Sequence, residues 1–200
     1  VPLSGGDFNW TGYSDMSFIN TNTGWICAAV YTYHSTNGGG WFSYSNVIKK
    51  TTNAGLNWNI IYSSNNENQY TSLKFFDENT GYSWIGHNFL KTTNGGGSWS
   101  VLFTDSYFNY FVGPLEMVNV NTGWIGSQDH EGRSISKTTN GGLNWITQFH
   151  EEGKFIYSIY AKDENTAWFC GAKNSIYKTT NGGGIIIGVN QISSEMPKQF

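Results

Sequence analysis

Charge of either sign is scarce in this chain. Asp, Glu, Lys and Arg make up 12% of its 200 residues, and Arg133 is the sole arginine among 11 basic side chains. No basic block forms, which argues against a phosphate-backbone partner, so no nucleic acid is expected. Long apolar runs are also missing. "WICAAVY" (Trp25–Tyr31) is about the longest, far short of the roughly 18 residues a spanning helix needs, and no membrane insertion is expected. The start, "VPLSGG", has neither a charged n-region nor an apolar h-region and fits a mature N-terminus left after signal removal. Cysteine is rare: Cys27 and Cys170 fit either one disulfide of an exported protein or two buried thiols. Prolines number three.

What is abundant points one way. Aromatics reach 17%, with nine Trp, beside 25 Gly and many Asn, Ser and Thr. That mixture suggests an all-β protein rich in tight turns and argues against disorder.

Nine residues are written four times: "KTTNAGLNW" (Lys50–Trp58), "KTTNGGGSW" (Lys91–Trp99), "KTTNGGLNW" (Lys137–Trp145) and "KTTNGGGII" (Lys178–Ile186). Successive boxes lie 41, 46 and 41 residues apart. Each follows a second motif, at Asn22–Trp25, Asn79–Tyr82, Asn121–Trp124 and Asn165–Trp168. A unit of this length divides into four short strands joined by Asn-Gly and Gly-Gly turns, the size of one propeller blade. The expected fold is therefore an all-β propeller of four blades, each of four antiparallel strands. The blades cover about 15–64, 68–105, 112–149 and 154–187, with 1–14 as a closing or exchanged strand and 188–200 as a tail packed on a neighbour.

Within the box, Thr51, Thr92, Thr138 and Thr179 with Asn53, Asn94, Asn140 and Asn181 are placed to tie down the turn. Gly55, Gly96, Gly142 and Gly183 let the chain reverse. Trp58, Trp99 and Trp145 then serve as wedges between blades, each removing about 150–250 Å² from water. At about 25 cal/mol per Å² the gross gain is about 4–6 kcal/mol per blade. This is a stapling device; the lysine before each box reads as an exposed strand position whose stem covers apolar surface.

The pattern Thr-x-Asn-x-Gly-x-x-Trp resembles the Asp-box of sialidase-type propellers, with Asn in the Asp position. The whole unit, across about residues 15–187, resembles the BNR or Ycf48-like repeats of photosystem II assembly factors and many secreted bacterial proteins. "ISSEMPKQF" (Ile192–Phe200) resembles the linker ahead of a type IX secretion sorting domain. These resemblances imply a secreted, extracellular or cell-surface protein whose boxes are structural. The Ycf48-like resemblance implies a seven-bladed ring, more than four boxes supply. Either four blades close the ring, or two chains pool theirs.

A sialidase of this kind grips its substrate carboxylate with three arginines; this chain has one, and lysine lacks the bidentate fork. Neither enzyme activity nor a cofactor is expected. His34, His87 and His130 fall in loops between second and third strands, and His150 in a connection between blades. "QDHEGR" (Gln128–Arg133) lacks metal-ligand spacing, and no metal site is expected. The candidate binding or interface residues are aromatic: Tyr31, Tyr33, Trp41, Phe42 and Tyr44 in the long Val30–Asn46 hairpin, and Tyr107, Phe108 and Tyr110 in "DSYFNYF". Two roles follow, a non-enzymatic structural subunit that self-associates into a homo-oligomer or polymer, and a glycan-binding propeller that takes carbohydrate. Cys27 and Cys170 stand at matching repeat positions, so a disulfide closing blade four on blade one is weighed against two separate thiols.

Overall fold

The computed structural model describes residues 8–36, 39–65, 71–104, 111–128, 133–151, 155–183 and 187–188. It contains four antiparallel sheets and, among the described residues, no helix. Blade one is β1 (Phe8–Phe18), β2 (Gly24–Thr36), β3 (Gly39–Thr51) and β4 (Asn59–Ser64). Blade two is β5 (Thr71–Phe75), β6 (Gly81–Ile85), β7 (Asn88–Thr92) and β8 (Ser100–Thr104). Blade three is β9 (Phe111–Met117), β10 (Gly123–Gln128), β11 (Arg133–Thr138) and β12 (Ile146–Glu151). Blade four is β13 (Ile156–Ala161), β14 (Ala167–Gly171), β15 (Ser175–Thr179) and β16 (Ile187–Gly188). Strands neighbour one another in chain order in every sheet, the meander that defines a propeller blade.

Two copied turns shape each blade. In the box, the Thr138 hydroxyl donates to Asn140 Oδ1 (3.1 Å) and accepts from the amides of Asn140 and Gly142 (3.3 and 2.9 Å). Asn140 Oδ1 also accepts from the Asn144 amide at 3.0 Å. The same pattern holds around Thr51 and Thr92, and Thr179 binds Asn181 and Gly183 likewise. Gly142 sits at φ 88°, a left-handed conformation that favours glycine. The turn from first to second strand is held by one side-chain oxygen that accepts two amides: Asn20, Asp77, Asn119 and Asp163 do this in blades one to four. A backbone bond then ties the two turns together, from Ala54, Gly95, Gly141 and Gly182 to Asn22, Asn79, Asn121 and Asn165.

Side chains alternate along the strands, so each blade has a forward face toward the next blade and a backward face toward the one before. Trp25 and Ile48 on the forward face of blade one meet Leu73 and Phe75 on the backward face of blade two. Tyr82 and Phe89 meet Leu115 and Met117 across the second interface, and Trp124 and Ile135 meet Ile156 and Ile159 across the third. Trp99 packs against Tyr62 and Phe75, and Trp145 against Trp84 and Phe89, so both indoles stand between blades. Three hydrophobic clusters thus link blades one to four in sequence. Among the described residues, none joins blade four back to blade one, and the blades form an arc with two free ends.

The long β1 corrects one reading. Residues 8–14 are not a separate closing strand, because they continue β1 and pair with β2 as far as Phe8↔Tyr33. A lengthened β2 exposes a row of backbone groups, and the same chain supplies the partner. The tail 189–200 and residues 1–7 lie outside the described residues.

Candidate functional site

Two kinds of surface stand out from the copied scaffold. The first is the β2–β3 hairpin, whose strands run 13 residues each where the matching strands of blades two and four have five. Its register sets Tyr31 opposite Tyr44, Tyr33 opposite Phe42 and His34 opposite Trp41. Period two then puts Tyr31, Tyr33, Phe42 and Tyr44 on one side and His34 with Trp41 on the other. The rings engage each other: Tyr31 and Tyr44 meet edge-on at 5.4 Å, Tyr33 and Phe42 lie at 4.9 Å, and His34 stacks on Trp41 at 3.9 Å. His34 Nε2 and Ser43 Oγ share a 2.7 Å hydrogen bond. His34 is therefore a strand residue and not a loop histidine. Gly40 leaves room for the Tyr33 ring, since a Cβ there would run into it. Trp41 and Phe42 remain exposed. Tyr107, Phe108 and Tyr110 lie outside the described residues, as does His130.

The second kind is the pair of end faces. Met16 occupies in blade one the position of Leu73, Leu115 and Ile159, as their register against β2, β6, β10 and β14 shows. Those three are buried under a preceding blade, whereas Met16 is 67% exposed. Phe18, matching Phe75, is 45% exposed and meets Trp58 of its own blade edge-on. Met16 borders an open depression of about 590 Å³ together with Tyr13, Asp15, Ile26 and Trp58. At the other end of the arc, Ile176 is 44% exposed, while Ile48, Phe89 and Ile135 at the same position are fully buried. Tyr160 and Cys170 are exposed beside it.

The lysine before each box has a more specific role than covering apolar surface. Each stands opposite the second-strand aromatic in the ladder, Trp25↔Lys50, Tyr82↔Lys91, Trp124↔Lys137 and Trp168↔Lys178. Each ammonium lies 4.7–5.4 Å from that ring's centroid, a cation–π contact. Lys137 reaches further and donates to the carbonyls of Glu164 (2.7 Å) and Gly182 (2.9 Å) in blade four. Burial pushes its pKa down, against the opposing pull of Glu164. The signal was present in the sequence as a lysine aligned four times with an aromatic.

Cys27 and Cys170 are not joined to each other, so the closing disulfide does not form. Their matching positions explain why. Both side chains lie on forward faces, and two faces that point the same way round an arc never oppose each other. The acidic turn residues are structural as well. Amides of Thr80 and then Asn79 hold the Asp77 carboxyl below the usual carboxylate range, and those of Asn165 and Thr166 do so for Asp163. His150 lies within β12 and shares a 3.0 Å bond with Ser134 Oγ. Among the described residues, no group of three or more His, Cys, Asp or Glu is placed to hold a metal ion.

No protein-family model matches the chain, and no curated protein sequence does. Solved structures do. A YCF48 structure bound to a D1 peptide aligns over 92% of this chain and 73% of its own, with 15% identity and a TM-score of 0.51. A GH74 enzyme of Niastella koreensis aligns over 88% of this chain and 30% of its own, with 17% identity and a TM-score of 0.67. A Mycobacterium tuberculosis puromycin-hydrolyzing peptidase aligns over 88% of this chain and 36% of its own, with 12% identity and a TM-score of 0.50. The chain is thus similar to propellers that belong to quite different proteins, two of them enzymes. At these identities the likeness is one of fold alone, that of a β-propeller.

Proposed function

We propose that this chain is a secreted, non-enzymatic propeller subunit that self-associates into an extracellular or cell-surface assembly. The observation that carries the reading is the free end of the arc: apolar side chains buried in every internal interface are exposed at blades one and four. Contiguous apolar surface of this sort marks an interaction site in a folded protein. Low charge and the aromatic hairpin are in keeping with a chain that packs on others. The test is the mass of the purified protein by light scattering over a concentration series. Mass rising above the monomer supports the reading, and a monomer at every concentration removes it. Deleting Gly188–Phe200 asks separately whether the tail takes part; oligomers that survive the deletion assign assembly to the blades.

A second reading rests on Trp41 and Phe42, exposed at the end of the long hairpin. Flat rings presented to solvent can stack on sugars, so the same surface suits a carbohydrate ligand. A glycan array with wild type and Trp41→Ala tests it. Binding lost in the variant supports a lectin role, and no binding by wild type ends it.

A further inference from the structure

We infer that the forward face of blade four docks on the backward face of blade one of a second copy, head to tail, and so repeats the internal blade contact between chains. This rests on the self-association reading above and specifies its interface. The three internal interfaces show what each exposed face is built to receive. At the first, Phe75 stacks on Trp25 with ring centroids 3.7 Å apart and planes within 3°. Phe18 stands at the Phe75 position and Trp168 at the Trp25 position, and each lacks that mate. At the third interface, Lys137 crosses to the carbonyls of Glu164 and Gly182. The matching acceptors on blade one are the carbonyls of Thr21 and Ala54, and the matching donor on blade four is Lys178. Met16 and Ile176 are the exposed apolar members of the same two faces.

The two ends are therefore the two halves of one interface, both present on every copy. One substitution departs from the pattern, since Ala54 replaces the Gly95, Gly141 or Gly182 of the other blades. A Cβ at Gly182 would lie 3.0 Å from Lys137 Nζ, the mobile tip of a long side chain, so Lys178 accommodates Ala54 by a small shift. Such a contact is heterologous and closes a ring or grows a filament according to its rotation. Two arcs of four blades make a ring at the upper end of the usual range of about four to eight.

Complementation distinguishes this arrangement from others. Met16→Asp blocks the backward face of blade one, and Ile176→Asp blocks the forward face of blade four. Both residues are exposed, and circular dichroism checks that each variant folds. Each variant alone is expected to lose the wild-type oligomer, falling to monomer mass. Mixed together they should give a 1:1 pair that grows no further, because each supplies the face the other lacks. If wild type assembles but neither variant changes its mass, this interface is wrong while self-association stands. A single variant that still forms dimers, or two that fail to pair when mixed, also overturns it. If wild type stays monomeric, both readings fall.

Discussion

Trp25 and Trp168 hold the same position of the repeat, on the second strand and under the lysine of the third. Trp25 is wholly buried, with its Nε1 donating to the Gly95 carbonyl at 3.1 Å and Phe75 stacked on its face. Trp168 is only partly covered, by Tyr160 of its own blade and Lys178. A blade thus does not bury its own aromatic; the next blade does. In such quasi-one-dimensional proteins stability resides largely in the contacts between neighbours.

The comparison can be pressed by substitution, measured by urea unfolding in the Met16→Asp background so that assembly does not contribute. Trp25→Ala is expected to cost about 3–5 kcal/mol, the range for emptying a packed aromatic site. Trp168→Ala should cost about 1 kcal/mol or less. Equal losses would show that burial within the blade, not the neighbour, sets the energy. Gly142 and Gly55 give the next contrast. A Cβ at Gly142 would run into Phe89 of blade two at φ 88°, and Gly142→Ala should cost about 2–4 kcal/mol. Gly55 has a similar φ of 85° but meets only its own Trp58 at 3.7 Å, so Gly55→Ala should cost about 1 kcal/mol from backbone strain. The difference isolates the contribution of the missing neighbour.

A control should show no such contrast. The box hydroxyls bond within their own turn, so Thr51→Val and Thr92→Val are expected to lose about 1–2 kcal/mol each, end blade and inner blade alike. A clear difference between them would mean that the turn, too, is held by the next blade. The smallest effect lies in acid. Asp77 and Asp163 have pKa values lowered on folding, so their stabilisation is complete above about pH 3.9 and fades as pH falls through the lowered folded values. Asn20 and Asn119 cap the same turn without a proton to gain. Asp77→Asn with Asp163→Asn should therefore flatten the acid limb of a stability–pH profile and leave neutral pH nearly unchanged.

The blades were legible because their information is local. Thr138, Asn140 and Gly142 act within five residues, and a turn that closes over so short a span leaves its mark in composition and spacing. The interfaces were half legible. Trp58, Trp99 and Trp145 all announced themselves as wedges, but the partner each meets depends on which side of the sheet it faces, a matter of register, and Trp58 meets Phe18 of its own blade. The cysteines show the cost of ignoring direction: aligned positions looked pairable, yet the repeat points Cys27 and Cys170 the same way. The free ends were the least legible. Met16 and Leu73 are both plain apolar strand residues, and only the order of packed sheets reveals that one is covered and the other bare.

The same alignment leaves the molecule with a chemical footprint. Cys27 lies sealed beneath blade two, while Cys170 is open to solvent on the outermost sheet. A thiol reagent added to the folded protein should therefore modify one site per chain, with the rate reporting how often that sheet is unobstructed. Alkylation kinetics followed by mass spectrometry would read occupancy of the surface directly, copy by copy, without any engineered label.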